Sequence, residues 1–315
     1  MFELIFLGTS SSAPSVKRGL SSHLILHRQY RFLLDCGEGT QRQILKSGLG
    51  FKRLNTILLT HSHLDHILGL GGLLSTLARW ENQENINIYG GKVTLDRVRN
   101  LLFKVVFPEK HAPLNINLVP LENGPIMEDD KFRLSAFPVS HRGADCYGFL
   151  FEEKPQRPFL ADKADALGVP FGPERKELVL GNAITLADGR TIYPDDVLDD
   201  PTPGTRYVHI GDVGRLDNLA PICQDADVLV MESTYTAQED EMARQFGHMT
   251  AARAAQFARE MGVKTLILTH LSRRYFERDI RQEARTFFRH TYVARDFDHF
   301  QISRNQTKRL KRLAG

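Results

Sequence analysis

Cysteine is scarce and scattered in this chain: Cys36, Cys146 and Cys223 are odd in number and show no CxxC spacing. That pattern excludes a disulfide framework and a thiolate-based zinc site, and it fits a reducing cytosol, so a cytoplasmic location is expected. No apolar run approaches the roughly 20 residues of a membrane span. The opening MFELIFLGTS has no basic stretch ahead of its short apolar run, so neither export nor membrane insertion is expected. A large charge excess is missing too: 41 Lys and Arg against 38 Asp and Glu leave +3, which permits a polyanionic partner without requiring one. No repeat is evident. What is present, 315 residues of which 42% are hydrophobic, suffices for one large core, alone or with an insertion.

Apolar and β-branched runs predict strands at 2–7, SHLILHR and RFLLDCG, with a hairpin turn at HRQY. GEGTQRQILKSG reads as a helix stopped by Gly48 or Gly50. Then come the strand TILLT, a helix near 67–79, the strand INIYG, an amphipathic helix over TLDRVRNLLFKVV, and strands at INLVPL and FRLSAFPVSH. The second half gives strands at YVHIGD, DVLVMEST and KTLILTH, helices at MTAARAAQFAREMG and 277–289, and a final strand pair around 291–303. Periodicity by itself supports a mixed α and β fold. Residues 153–205 stand apart: GVPFGP, LADGR, YPDD and PTPG are turn-rich and signal an exposed insertion in a catalytic domain that otherwise spans 1–315. The tail NQTKRLKRLAG reads as a solvated or frayed terminus in preference to an RNA contact.

The densest chemistry lies in THSHLDH. A strand delivers His61 and His63 onto a loop, and Asp65 and His66 follow at the entrance to the next helix. Alternate histidines leaving a strand can share one cavity, while the adjacent Asp and His can serve a second ion. Imidazole and carboxylate donors without thiolate favour zinc and leave manganese or iron open. Further ligands are expected where other apolar runs end in turns: His141 in FPVSHRG, Asp212 in VHIGDVG and His270 in LILTHLS. Singly these read as a surface loop residue, a turn former and a helix cap. Their joint recurrence points to a shared centre.

THSHLDH followed by His141, Asp212 and His270 resembles the metallo-β-lactamase superfamily of binuclear hydrolases. FLGTSSSAP, LDCGEGTQRQIL, KADALGVPFGP, ITLADGRTI, ESTY with GHMTAARAA, and LILTHLSRRY narrow the likeness to the ribonuclease Z family of tRNA 3′-processing endonucleases, over nearly the whole chain. The resemblance implies an α/β (α+β) four-layer αβ/βα sandwich with metals at one edge. It implies one zinc on His61, His63 and His141, a second on Asp65, His66 and His270, and Asp212 bridging them: two Zn²⁺ per subunit. Asp65 would also orient or deprotonate the attacking water, and His248, aligned by Glu232, would protonate the leaving ribose oxygen. Arg274, with Arg273 beside it and Lys17 or Arg18 near the N-terminus, would clamp phosphates. The insertion would be a protruding arm that grips tRNA, although Asp195, Asp196, Asp199 and Asp200 there outnumber the basic Lys163, Arg175 and Lys176. A homodimer follows from the family as well.

Two departures stand out: Val213 occupies a position where the family more usually has threonine, and Ser10, Ser11 and Ser12 replace a more glycine-rich loop. The leading expectation is a zinc phosphodiesterase that removes the 3′ trailer of precursor tRNA. A small-molecule hydrolase of the same superfamily, acting on a thioester, lactone or cyclic nucleotide, is the competing enzyme, and a noncatalytic RNA-binding relative is the competing non-enzyme. The arm argues against the first, and the intact Glu232 and His248 pair against the second.

Overall fold

Alternation along the strands sorts side chains onto two faces, and this builds the layers. In the first strand, Phe2–Gly8 (β1), Ile5 and Leu7 point toward helices and pack with Leu24, Leu33, Ile57 and Leu59 against Ile44, Leu70, Leu73 and Leu77. Phe2 and Phe6 point the other way. The computed structural model describes residues 1–80, 85–107, 114–143 and 145–313.

The remaining strands are Ser22–His27 (β2), Tyr30–Leu34 (β3), Thr56–Leu58 (β4), Asn85–Gly90 (β5), Asn115–Pro120 (β6), Gly124–Glu128 (β7), Phe132–Pro138 (β8) and Tyr147–Glu153 (β9). They continue as Ile184–Thr185 (β10), Thr191–Ile192 (β11), Arg206–His209 (β12), Val228–Glu232 (β13), Thr265–Thr269 (β14), Thr291–Val293 (β15), His299–Ser303 (β16) and Gln306–Arg309 (β17). One sheet of eight runs β17-β16-β1-β2-β3-β4-β5-β6; another of seven runs β15-β14-β13-β12-β9-β8-β7. Both are mixed: β3 to β6 are parallel, as are β12 to β15, and the flanks are antiparallel.

Aromatic rings fill the space between the sheets. Phe151 meets Phe2 (6.2 Å between centroids), Phe32 (5.6 Å) and Tyr207 (5.2 Å), and His23 of β2 meets His209 of β12 at 5.0 Å. On the outer face of the second sheet, Leu229, Met231, Leu266 and Leu268 pack against Ala251, Ala254, Ala255 and Ala258 of the helix Ala251–Glu260, and against Ile280 of the helix Glu277–Phe287. Helix, sheet, sheet and helix make the four-layer metallo-β-lactamase sandwich.

Several local expectations need correcting. The expected helix at 67–79 is two pieces, Leu64–Ile67 and Leu70–Trp80. The break lies where Gly69 passes so close to the end of β3 that a Cβ there would sit 2.0 Å from the Gly37 carbonyl oxygen. The amphipathic helix is regular over Lys92–Asn100 and continues as a wider turn over Leu101–Val106. The final pair is no pair: β15 extends the second sheet and β16 joins β1 in the first. The tail is not frayed either. Gln306–Arg309 pairs with β16, and Arg309 (2.6 Å) and Arg312 (3.0 Å) both donate to the buried Asp298 carboxylate; 314 and 315 lie outside the described residues.

Glu153–Gly204, with Asp129–Phe132, forms a separate compact unit. It has a small core of Ala164, Val169, Leu178, Ile192, Val197 and Leu198, three short helices and the β10–β11 hairpin. Arg157 pairs with Asp195 at 2.6 Å, and Arg175 pairs with Asp165 while lying 3.7 Å over the Phe171 ring.

Candidate metal centre

Five strand ends converge on one cluster. The run after β4 carries His61, His63, Asp65 and His66; the turn after β8 carries His141; β12 leads to Asp212, β13 ends in Glu232, and β14 hands over to His270. In sheets of this kind the carboxyl ends of strands open toward the ligand crevice, because the chain there must turn and release side chains from the core. His270 adopts a left-handed backbone (φ 56°), a conformation uncommon for a side-chain-bearing residue. The motif loop is clamped from below: Cys36 N–H donates to the His66 carbonyl (2.7 Å) and Gly69 N–H to the Cys36 carbonyl (2.9 Å).

The donor atoms fall into two sets. His61, His63, His141 and Asp212 hold theirs within 4.8 Å of one another, and Asp65, His66 and His270 form the second such group. Asp212 lies between them. Its Oδ2 is 3.7 Å from both His61 Nε2 and His141 Nε2, and its Oδ1 is 3.5 Å from His66 Nε2 and 3.3 Å from His270 Nε2. Asp65 Oδ2 sits 3.3 Å from His270 Nε2 and accepts the Ser12 backbone N–H at 2.8 Å. In this serine loop the group that reaches the cluster is thus a main-chain amide; the Ser11 and Ser12 hydroxyls bond each other (3.2 Å).

The surrounding groups settle which imidazole nitrogen faces inward. His141 Nδ1–H donates to the Gly247 carbonyl (2.7 Å), which can only accept, and His66 Nδ1–H donates to Asp35 (2.7 Å). The Thr234 hydroxyl donates to Glu232, a pure acceptor, and is therefore free to accept from His270 Nδ1–H at 2.9 Å. In each case Nε2 is left with a bare lone pair directed into the cluster. His141 Nε2 and Asp212 Oδ1 are buried with no hydrogen-bond partner among the described residues, a costly state that a cation would relieve. The donor set fits divalent metal.

Asp35, Thr60 and Thr234 are the residues that motif reading passed over. Asp35 (φ 56°) accepts from the Thr60 amide (2.8 Å), the Thr60 hydroxyl (2.9 Å) and His66. The one available signal was an aspartate closing the buried strand run RFLLD, where a charge needs a reason.

His248 Nδ1 lies 2.9 Å from Glu232 Oε1, and Glu232 is fully buried, accepting also from the Val213 amide at 2.7 Å. Val213, the departure from threonine, therefore supports Glu232 through its backbone while its side chain fills the core. Burial opposes charge on His248, but the Glu232 carboxylate overrides it and the imidazole titrates at about 9. His61 and His141 go the other way: burial holds both below the usual histidine range.

The expected phosphate clamp divides. Arg273 and Lys17 are exposed, with no carboxylate partner among the described residues. Arg274 pairs with Glu239 at 3.2 Å. Arg18 is engaged within the fold: its guanidinium donates to the Thr9 hydroxyl (2.6 Å), the Ala294 carbonyl (2.7 Å) and Glu277 (3.2 Å), tying the N-terminal loop to later segments.

This geometry can be set against known proteins. A family model described as anti-Pycsar protein Apyc1 matches residues 2–164, and one described as a beta-lactamase superfamily domain matches 197–271. A ribonuclease Z of Bradyrhizobium diazoefficiens is 44% identical over 302 residues, covering 96% of this chain and all of that one. The chain belongs to the ribonuclease Z family. A ribonuclease Z of Lactiplantibacillus plantarum is 38% identical over 95% of this chain and 98% of its own length. Among solved structures, the short form of human tRNase Z superposes with a TM-score of 0.68 at 25% identity, over 95% of this chain and 99% of that one. The Bacillus subtilis metallo-β-lactamase fold protein YhfI also gives 0.68 at 19% identity, a likeness of fold alone. The ribonuclease Z matches run through the 153–204 unit to the second donor group, whereas the Apyc1 match ends at 164.

Proposed function

We propose that the chain removes the 3′ trailer of precursor tRNA by hydrolysing one phosphodiester at a centre holding two zinc ions, leaving a 3′-hydroxyl on the tRNA and a 5′-phosphate on the trailer. It is an endoribonuclease of the metallo-β-lactamase type. The observation that carries the finer reading is the pair of donor sets sharing Asp212 beside the Glu232–His248 pair. His61, His63 and His141 would hold one cation and Asp65, His66 and His270 the other, with Asp212 between. When bound, such ions neutralise charge on the phosphate and make water acidic enough to attack near neutral pH.

The chain's own groups divide the remaining work. Asp65, held by the Ser12 amide, orients the water and takes its proton as the new P–O bond forms. As the bond from phosphorus to ribose O3′ breaks, His248 delivers a proton to O3′, and Glu232 keeps that imidazole charged until then. Arg273, Arg274 and Lys17 would contact phosphates. The 153–204 unit would be the arm that holds tRNA away from the cut, and a homodimer in the cytoplasm would be the working form; among the described residues no helix is long and apolar enough to cross a membrane.

The decisive experiment is cleavage of a 3′-extended precursor tRNA by purified protein of measured metal content, with the product ends mapped. A single cut after the unpaired base that follows the acceptor stem is expected. Two bound metals with no cut would redirect the reading to thioesters, lactones or cyclic nucleotides.

A further inference from the structure

A cleft of about 770 Å³ begins where the metal centre ends and includes none of its donors. Its inner wall is Leu271 and Ser272, the two residues that follow His270. The Leu271 carbonyl accepts the Ser11 amide (3.1 Å) from the same loop whose Ser12 amide holds Asp65, so cleft and centre share a wall. Six cations line it against two carboxylates, Glu277 and Asp296. Arg18 and Arg295 are spent on Glu277, Arg312 on Asp298, and Asp296 is buried on the Thr9 hydroxyl and the Gly19 amide. Lys17, Lys46 and Arg273 remain exposed, with no carboxylate partner among the described residues. Phe276, 69% exposed, offers a ring at the same cleft, with the Arg278 guanidinium 5.2 Å from it.

Unpaired cations beside an exposed aromatic ring form a surface for single-stranded nucleic acid, where phosphates meet charge and a base stacks on the ring. A cleft of this volume is in the range that encloses a small ligand, too confined for a duplex but open to unstacked nucleotides. We propose that it holds the unpaired trailer downstream of the scissile phosphate, a reading that rests on RNA cleavage at the adjacent centre. Lys46, at the last turn of the helix Thr40–Lys46, is the outlying contact, and no role at the cut itself falls to it.

The test compares two precursor tRNAs, one with a single trailer nucleotide and one with a single-stranded trailer of about ten. The longer trailer should lower KM several-fold at low salt. Lys46→Glu should erase that advantage, raising KM for the long substrate about three- to tenfold and leaving the short one unchanged, with Lys46→Ala between. A 5′-phosphorylated trailer oligonucleotide should inhibit the wild type competitively and the variant more weakly. A KM independent of trailer length, or an equal loss on both substrates with Lys46→Glu, overturns the trailer cleft while leaving tRNA cleavage standing. Failure of the wild type to cut either substrate removes the reading beneath it.

Discussion

His248 and His209 are both buried imidazoles of the same sandwich, yet they end about six pH units apart. His248 has a carboxylate at 2.9 Å and titrates at about 9. His209 has Tyr207 Oη at 3.0 Å and the His23 ring at 5.0 Å, and burial pushes it down to about 3. His23 is driven well below its ordinary range by the same burial, and neither of its ring nitrogens has a hydrogen-bond partner among the described residues. Desolvation acts in the same direction on all three; the neighbouring carboxylate decides whether the ring is a proton donor at neutral pH or an inert aromatic plate. One fold thus keeps a charged histidine beside Glu232 and neutral ones between its sheets.

The contrast can be broken in several places. Where carboxylates are densest the effect should be largest: Asp65→Ala is expected to lower cleavage by on the order of 10³ or more while leaving the melting transition cooperative. Wild-type turnover at matched metal content would take Asp65 out of the chemistry. Next is Glu232→Gln, which keeps shape and removes charge. It should bring the His248 titration down by several units, read by NMR, and lower kcat about 10²-fold; an unmoved His248 titration would break the comparison. Thr234→Val removes the acceptor for His270 Nδ1–H and should weaken metal binding about tenfold in a chelator competition, with Thr234→Ser close to wild type.

The smallest effect belongs to the silent pair. Because the folded pKa of His23 and His209 is depressed, their neutral forms support stability above the unfolded value near 6.5, and that support is lost as pH falls toward the folded value. His23→Leu should therefore flatten the acid limb of stability against pH, sparing on the order of 1 kcal/mol between about pH 7 and 5.5. Parallel unfolding curves for variant and wild type would contradict this.

The difference between the two kinds of histidine also marks what the chain discloses unaided. His61, His63, Asp65 and His66 are legible because four donors crowd into six positions, and His141, Asp212 and His270 because each follows an apolar run. The groups that orient them are not. Asp35 lies 31 positions before the His66 it holds and Thr234 lies 36 before His270; only pairing of β3 with β4 and of β13 with β14 brings those segments together. β17 escaped notice for another reason. QTKR sits at a sheet edge with its side chains mostly exposed, so no alternation of apolar residues announces it, and its stability comes from pairing and from Asp298. Arg18 likewise reads as a free cation until Glu277, 259 positions away, folds against it.

One of the two neighbours of β1 in its sheet is β16, so Phe2–Gly8 waits on that side for His299–Ser303. During translation that edge stays open, with Phe6 lacking the Phe300 ring it packs on, and the donor groups cannot be completed until His270 has left the ribosome. The donor set is thereby tied to late synthesis: a product cut short before His270 would expose an unpaired strand edge and lack a donor, leaving a substrate for quality control.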